Sequence, residues 1–452
     1  MNIQGQGEDR EVEKQAQGVW SRRFTRNLLI ALIGAGFFLL FANPFIGVSV
    51  WEPWDYLHDD FPMFYGASKS LVAGESPYSV DILDAIPDAG SARGWGSYIY
   101  PPLFAWVLVP FSFLPIEWAK HVYVILCLFI YLIFLTPRRS KDFVGALEGV
   151  VSLAVLCLWG PIVETCRFGQ SNFLPLFLFF AAWKILEGAP DLSSNEKTRI
   201  REIVAGILIG VGSMVKLTPF VILPIFLVAG RYRLVVGCIA GSVLTATLTG
   251  LGSNFEYFTR VLPTLGNFSD LSHFHSITRV VLGLANDAGV GQEIDPQSVE
   301  RGRQLGLMLS GLLYVLFLIF VHLNRKKLKS HEILLLSCFL PCLLFGAWYH
   351  HYTLVLLPVL YSLSRLIRLA IPSGNGHLRI WPILGLSILF LLLLPNTFYV
   401  HMGKIFYAWT FTQLRVYNPT WLVVSNLCAF FLLCALFNFR PFQKPNASRE
   451  KA

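Results

Sequence analysis

Residues 197–233 read KTRIREIVAGILIGVGSMVKLTPFVILPIFLVAGRYR, an apolar passage over 203–230 between basic clusters at 197–201 and 231–233. Basic clusters beside apolar runs mark the cytoplasmic side of a membrane. A passage that starts and ends at such clusters must therefore cross twice. The turn falls at Lys216-Leu217-Thr218-Pro219, where a proline ends one helix and opens the next. This hairpin puts Lys216 at the outer surface and makes the chain a bundle of membrane-crossing helices.

The same pattern extends in both directions. Basic groups at Arg22, Arg23 and Arg26, at Arg138, Arg139 and Lys141, at 325–329, at 365–379 and in the C-terminal tail face the cytoplasm by the same rule. Segment 332–348 then runs outward and 352–369 inward, which delivers Tyr349-His350-His351 to the outer face. The outer loops become 49–100, 161–171, 252–303, 346–352 and 397–419, with about twelve crossings (roughly 10 to 13) and both termini inside. The expected organisation is a cytoplasmic tail 1–26, one transmembrane domain 27–437 and a cytoplasmic tail 438–452. Its first helix, about 27–48, shows no small-residue cleavage site after it. Pro101, Pro102, Pro110 and Pro115 divide 101–136 into a short or re-entrant helix and one full crossing. Loops 49–100 and 252–303 are too short for cores of their own and suit helices lying along the membrane surface.

Composition agrees with this architecture. Of 452 residues, 54% are hydrophobic and 14% charged, with a mean hydropathy of +0.57, so the solvent of most of the chain is lipid. Long unbroken apolar runs exclude a β-barrel, whose strands alternate. The net charge of +8 comes from topology clusters and gives no reason to expect nucleic acid. Seven of the eight cysteines lie in apolar stretches, with Cys166 near a loop, and the pattern is one of packing rather than a disulfide framework.

Chemistry concentrates in the first outer loop, where Glu52, Asp55, His58, Asp59 and Asp60 are interleaved with aromatic residues. A carboxylate beside a low-dielectric surface and a like charge gains proton affinity, as a general base requires. The competing reading is a solvated acidic loop with an aromatic belt. A metal site at Asp55, Asp59 and Asp60 is not expected, because the spacing matches no known cation loop.

The spacing Asp60-Phe61, Tyr65, Ala67, Leu71, Gly74, Pro77-Tyr78, then Tyr100-Pro101-Pro102-Leu103 resembles the pattern of glycosyltransferase family 87. Gly169-Gln170-Ser171-Asn172, Ala205-Gly206 with Lys216-Leu217-Thr218-Pro219, and Trp348-Tyr349-His350-His351 are similar to that family's later elements, in the same order. The resemblance covers about 25–370. It implies a C-type membrane glycosyltransferase fold (GT-C) and transfer of a sugar, commonly mannose, from a polyprenyl-phosphate donor to a lipid or glycan acceptor. It also implies no metal or other cofactor, with Asp60 as the catalytic residue and Asp59 as its competitor. The substrate-binding set expected on this basis is Lys216, His350, His351, Gln170, Asn172, Arg279, Tyr65 and Tyr100. One departure stands out: the family's Asn-Gln-Ser element is replaced by Phe274-His275-Ser276, which weakens any role for His275.

The topology independently puts Asp60, Gln170, Lys216 and His350 on one face, and polar groups gathered in lipid are usually functional. In displacement at an anomeric carbon a base takes the acceptor proton while a cation meets the departing phosphate. Asp60 suits the first task and Lys216 the second. The alternative function is a transporter or flippase of lipid-linked sugars. Against it, the two halves of the chain do not resemble each other. The expected location is a bacterial plasma (inner) membrane, with the site facing the periplasm or exterior.

Overall fold

The structure, a computed structural model, describes residues 60–78, 98–135, 143–188, 196–267, 296–344, 349–370 and 419–438, with isolated positions at 277, 281 and within 382–389. Asp55, Asp59, Arg279, the expected helix 27–48 and both tails lie outside the described residues. Every regular element among the described residues is helical. In chain order they are α1 (Phe61–Val72), α2 (Pro102–Leu108), α3 (Ile116–Leu135), α4 (Phe143–Leu158), α5 (Gly160–Phe168), α6 (Phe173–Glu187) and α7 (Glu196–Ser213). There follow α8 (Ile222–Val228), α9 (Tyr232–Leu248), α10 (Leu251–Glu256), α11 (Pro296–Asn324), α12 (Ser330–Ser337), α13 (Leu340–Leu343), α14 (Leu356–Ala370) and α15 (Pro419–Asn438).

Among the described residues three helices are long and apolar enough to cross a membrane, within Trp118–Leu135, Glu300–Asn324 and His351–Ala370, or up to five if each of two bent pairs is one span. The expected count of about twelve crossings, which includes segments outside the described residues, is not confirmed by these helices. Prolines interrupt or open Pro102–Phe113, Pro219–Val228 and Ser330–Leu343, which with Leu422–Phe437 are shorter apolar helices. Segment 101–136 resolves into α2, continued by a 3-10 turn Val109–Phe113, and the 20-residue α3. Outward-facing Leu307, Met308, Leu312, Val315, Leu316 and Ile319 on α11 are exposed, as are Val236, Ile239, Val243 and Leu244 on α9. Apolar side chains on both the inside and the outside of a bundle are the mark of helices solvated by lipid.

The helices α7 and α9 pack closely against each other. Gly206 and Gly210 on one, and Gly237 and Gly241 on the other, form two facing small-xxx-small stripes. A Cβ at Gly206 would collide with the Leu234 carbonyl oxygen, and one at Gly237 with that of Ile203. Backbones approach this closely only where no side chain intervenes, and in lipid such packing replaces the hydrophobic drive. Gly206→Ala is therefore expected to destabilise the protein by about 1–3 kcal/mol. Thermal denaturation of the detergent-solubilised variant checks this, and an unchanged melting temperature would mean that the helices separate without cost.

Three of the basic clusters meet at one end of this pair. Arg233 pairs with Glu202 at 3.3 Å, and Arg231 donates to the Leu328 carbonyl at 2.9 Å. The opposite end of α7 is about 27 Å away at the helical rise of ~1.5 Å per residue, close to the thickness of a bilayer core. There the chain leaves the helix at Met214 and restarts as a 3-10 turn, Thr218–Val221.

The two segments expected to form the large outer loops take different courses. In the second, the chain bends by 113° after α9 and runs through Leu251–Thr264. Leu251, Phe255 and Phe258 are exposed there while Asn254 and Tyr257 are buried, an amphipathic arrangement suited to the membrane surface. In the first, the described helix is not laid on the surface. Phe61, Phe64 and Ala67 of α1 are fully buried, and Phe64 makes edge contacts with Tyr100 and Phe104 at 5.0 and 4.8 Å. Aromatic residues on successive turns give α1 more to gain inside the bundle than along its rim.

Candidate active site

The site begins with one glycine. At the end of α5, Gly169 adopts φ +61°, and the Gln170 N–H returns to the Thr165 carbonyl at 2.9 Å, a left-handed helix stop. A Cβ at Gly169 would lie 2.8 Å from the Phe61 ring, so the glycine also lets α1 approach. Asp60, the residue before α1, is thereby set beside Gln170-Ser171-Asn172 in the link between α5 and α6.

The Gln170 amide donates to Asp60 Oδ2 and accepts from the Tyr100 hydroxyl at 3.1 Å. Its own backbone carbonyl accepts from Tyr123 at 2.9 Å. Gln170 is thus held from three sides, and it holds one carboxylate oxygen of Asp60. The adjoining link is built around Lys216, whose Nζ donates to Asn172 Oδ1 at 3.1 Å and lies 5.3 Å from the centroid of the Tyr100 ring. Tyr100 therefore joins the carboxylate and the ammonium, its hydroxyl serving one side and its π-face the other.

Lys216, expected at the outer face, has its side chain buried within the protein, at 9% exposure. The cause is the acceptor on Asn172 and the ring of Tyr100, which draw the side chain inward from the break between α7 and α8. Lying in that break, outside the spans, its ammonium is pulled by burial down to about 7, with the charge of Asp60 acting in the opposite direction. A narrow pocket opens beside it, lined by Asn172, Pro175, Lys216, Pro219, Pro341, His351, Thr353 and Leu354. Asp60 is not among these lining residues and connects to them through Gln170 and Tyr100. It is itself only partly buried.

Seven of the ten expected residues can be placed by their side chains. Asp60, Gln170, Tyr100, Asn172 and Lys216 form one connected group, and His351 lies on the pocket wall. Tyr65 stands apart, its hydroxyl donating to the Leu114 carbonyl at 2.8 Å, which ties α1 to the turn before α3. Of His350 only the backbone is described, in the 3-10 turn Tyr349–Val355, while Asp59 and Arg279 lie outside the described residues. Among the described residues no group of three or more His, Cys, Asp or Glu side chains could hold a metal ion.

Two residues of the group carried no signal in sequence. Thr165 is fully buried on α5, with its hydroxyl 3.4 Å from Asn172 Nδ2, and Thr353 is fully buried 3.3 Å from Thr165. A threonine in an apolar helix reads as packing, and only the neighbouring Asn172 gives it a polar task.

Residues 98–358, more than half of the chain, match glycosyltransferase family 87. No curated protein and no solved structure matches the chain. Tyr100, Gln170, Asn172, Lys216 and His351 all fall within the matched residues, whereas Asp60 and α1 precede them. Apolar helices solvated by lipid, together with this match, mark an integral membrane protein, and the chain belongs to glycosyltransferase family 87.

Proposed function

We propose that this glycosyltransferase has a GT-C-type domain over 27–437. It moves a sugar, mannose by preference, from a polyprenyl-phosphate donor to a lipid or glycan acceptor at the outer face of a bacterial plasma membrane. The observation that carries this reading is the connected group in which one carboxylate, Asp60, and one ammonium, Lys216, are joined by Gln170 and Tyr100. Displacement at an anomeric carbon needs these two charges at opposite ends of the reacting line. Asp60 takes the proton of an acceptor hydroxyl, whose oxygen bonds to the anomeric carbon. The bond from that carbon to the phosphate oxygen breaks, and its electron pair leaves with the phosphate. Lys216 meets that growing charge, and His350 and His351 contribute further contacts to the phosphate.

A buried ammonium beside three prolines and a leucine favours an anionic partner such as a phosphate over a neutral one. The apolar surroundings suit a polyprenyl chain arriving from the bilayer. Membership of a glycosyltransferase family supports catalysis over transport of lipid-linked sugars.

Sealed membrane vesicles of known orientation test donor and sidedness together. A short-chain polyprenyl-phosphate mannose added outside right-side-out vesicles is expected to be consumed, with mannose appearing in extracted lipid or glycan. Consumption only in inverted vesicles would move the site to the cytoplasmic face. Transfer from nucleotide sugars alone would overturn the donor assignment.

A further inference from the structure

Asn172 presents a carbonyl to Lys216 at 3.1 Å, and an amide turned the other way would present an NH2 to an ammonium. Something must choose between these two orientations. A threonine hydroxyl has one proton, and that of Thr165 goes to the Pro161 carbonyl at 2.8 Å, an oxygen that can only accept. Towards its other neighbours Thr165 Oγ1 must therefore accept, from Asn172 Nδ2 at 3.4 Å and from the Thr353 hydroxyl at 3.3 Å. Thr165, Thr353, Asn172 and Lys216 are 0, 0, 5 and 9% exposed, so solvent has little opportunity to replace these bonds.

We propose that Thr165 is a positioning residue for the transfer reaction, fixing the Asn172 amide with its oxygen towards Lys216 and so keeping an ammonium in the pocket. The proposal rests on the reading of Lys216 as the cation that meets phosphate. The other charged or titratable groups facing Lys216 are Asp60 before α1, Cys342 on α13, Tyr100 before α2 and His351 on the pocket wall. The Asn172 amide is held on its NH2 side by Thr165 Oγ1 and on its oxygen by Lys216 Nζ.

Thr165→Val keeps the shape and removes the acceptor. With its NH2 group deprived of that acceptor, Asn172 is held less firmly with its oxygen towards Lys216 and favours the charged form less, and the alkaline limb of the transfer rate against pH moves down by about one pH unit. The measurement is transfer from short-chain polyprenyl-phosphate mannose by the full-length purified protein. Thr165→Ser, which keeps the hydroxyl, is expected to restore the wild-type limb. If the valine variant does not fold, Thr165→Ala carries the same expectation. A wild-type pH profile in a folded Thr165→Val or Thr165→Ala variant overturns the proposal, whatever the change in overall rate. Lys216→Met separates the two levels of argument. If it transfers mannose with the wild-type rate and profile, the phosphate reading of Lys216 fails. If it is impaired while the Thr165→Val profile is unmoved, only the positioning role fails.

Discussion

Asp60→Asn is expected to lower sugar transfer by about a hundredfold or more while leaving donor affinity little changed. Asparagine keeps the size of the side chain and an oxygen for the Gln170 amide, so the packing of α1 against Gly169 survives. Basicity alone is lost. Because the acceptor proton moves only during reaction, the loss falls on turnover, not on the ground-state complex. Steady-state kinetics at varied donor concentration reads both quantities. Near-full turnover in Asp60→Asn would remove Asp60 as the base. Asp59→Asn discriminates the neighbour: it is expected to cost much less, and the reverse ranking would shift the assignment by one residue with the mechanism intact.

Lys216→Ala is expected to weaken donor binding and turnover together, with kcat/KM down by about a hundredfold. Its partner in the proposal is a phosphate group, which is anionic both in the bound donor and in the transition state. One deletion therefore appears in both parameters. The sign of the pH dependence follows from burial. With the ammonium pulled down to about 7 by burial, it is charged below that pH and neutral above it. Wild-type kcat/KM should then fall as pH rises through this region, and the alanine variant should lose that limb. Equal alkaline limbs in the two proteins would show that some other group titrates. A wild-type kcat with only KM raised would confine Lys216 to binding.

The order of motifs around Asp60, Gln170, Lys216 and His350 was legible because each is a short string next to a break in an apolar run. Proline, glycine and charge interrupt hydropathy locally, and such interruptions can be read without knowing what lies opposite. The placement of α1 was less legible. Its aromatic residues suit a membrane surface as well as a core, and the choice depends on Tyr98, Tyr100 and Phe104, more than thirty residues further on. Tyr65 shows the same limit, since its place in a motif suggested substrate while its hydroxyl is engaged by Leu114.

By itself, the sequence determined that the chain is helical and bathed in lipid, where its helices break, and which family its motifs belong to, because hydropathy, charge clusters and short motifs are properties of neighbouring residues. The tertiary structure alone decided that Gln170 holds Asp60, that Lys216 turns inward to Asn172 and Tyr100, and that Thr165 faces the Asn172 amide. These contacts join residues 7 to 116 positions apart. Their hydrogen bonds become strong where packed helices exclude water, a condition that exists only once the bundle has formed.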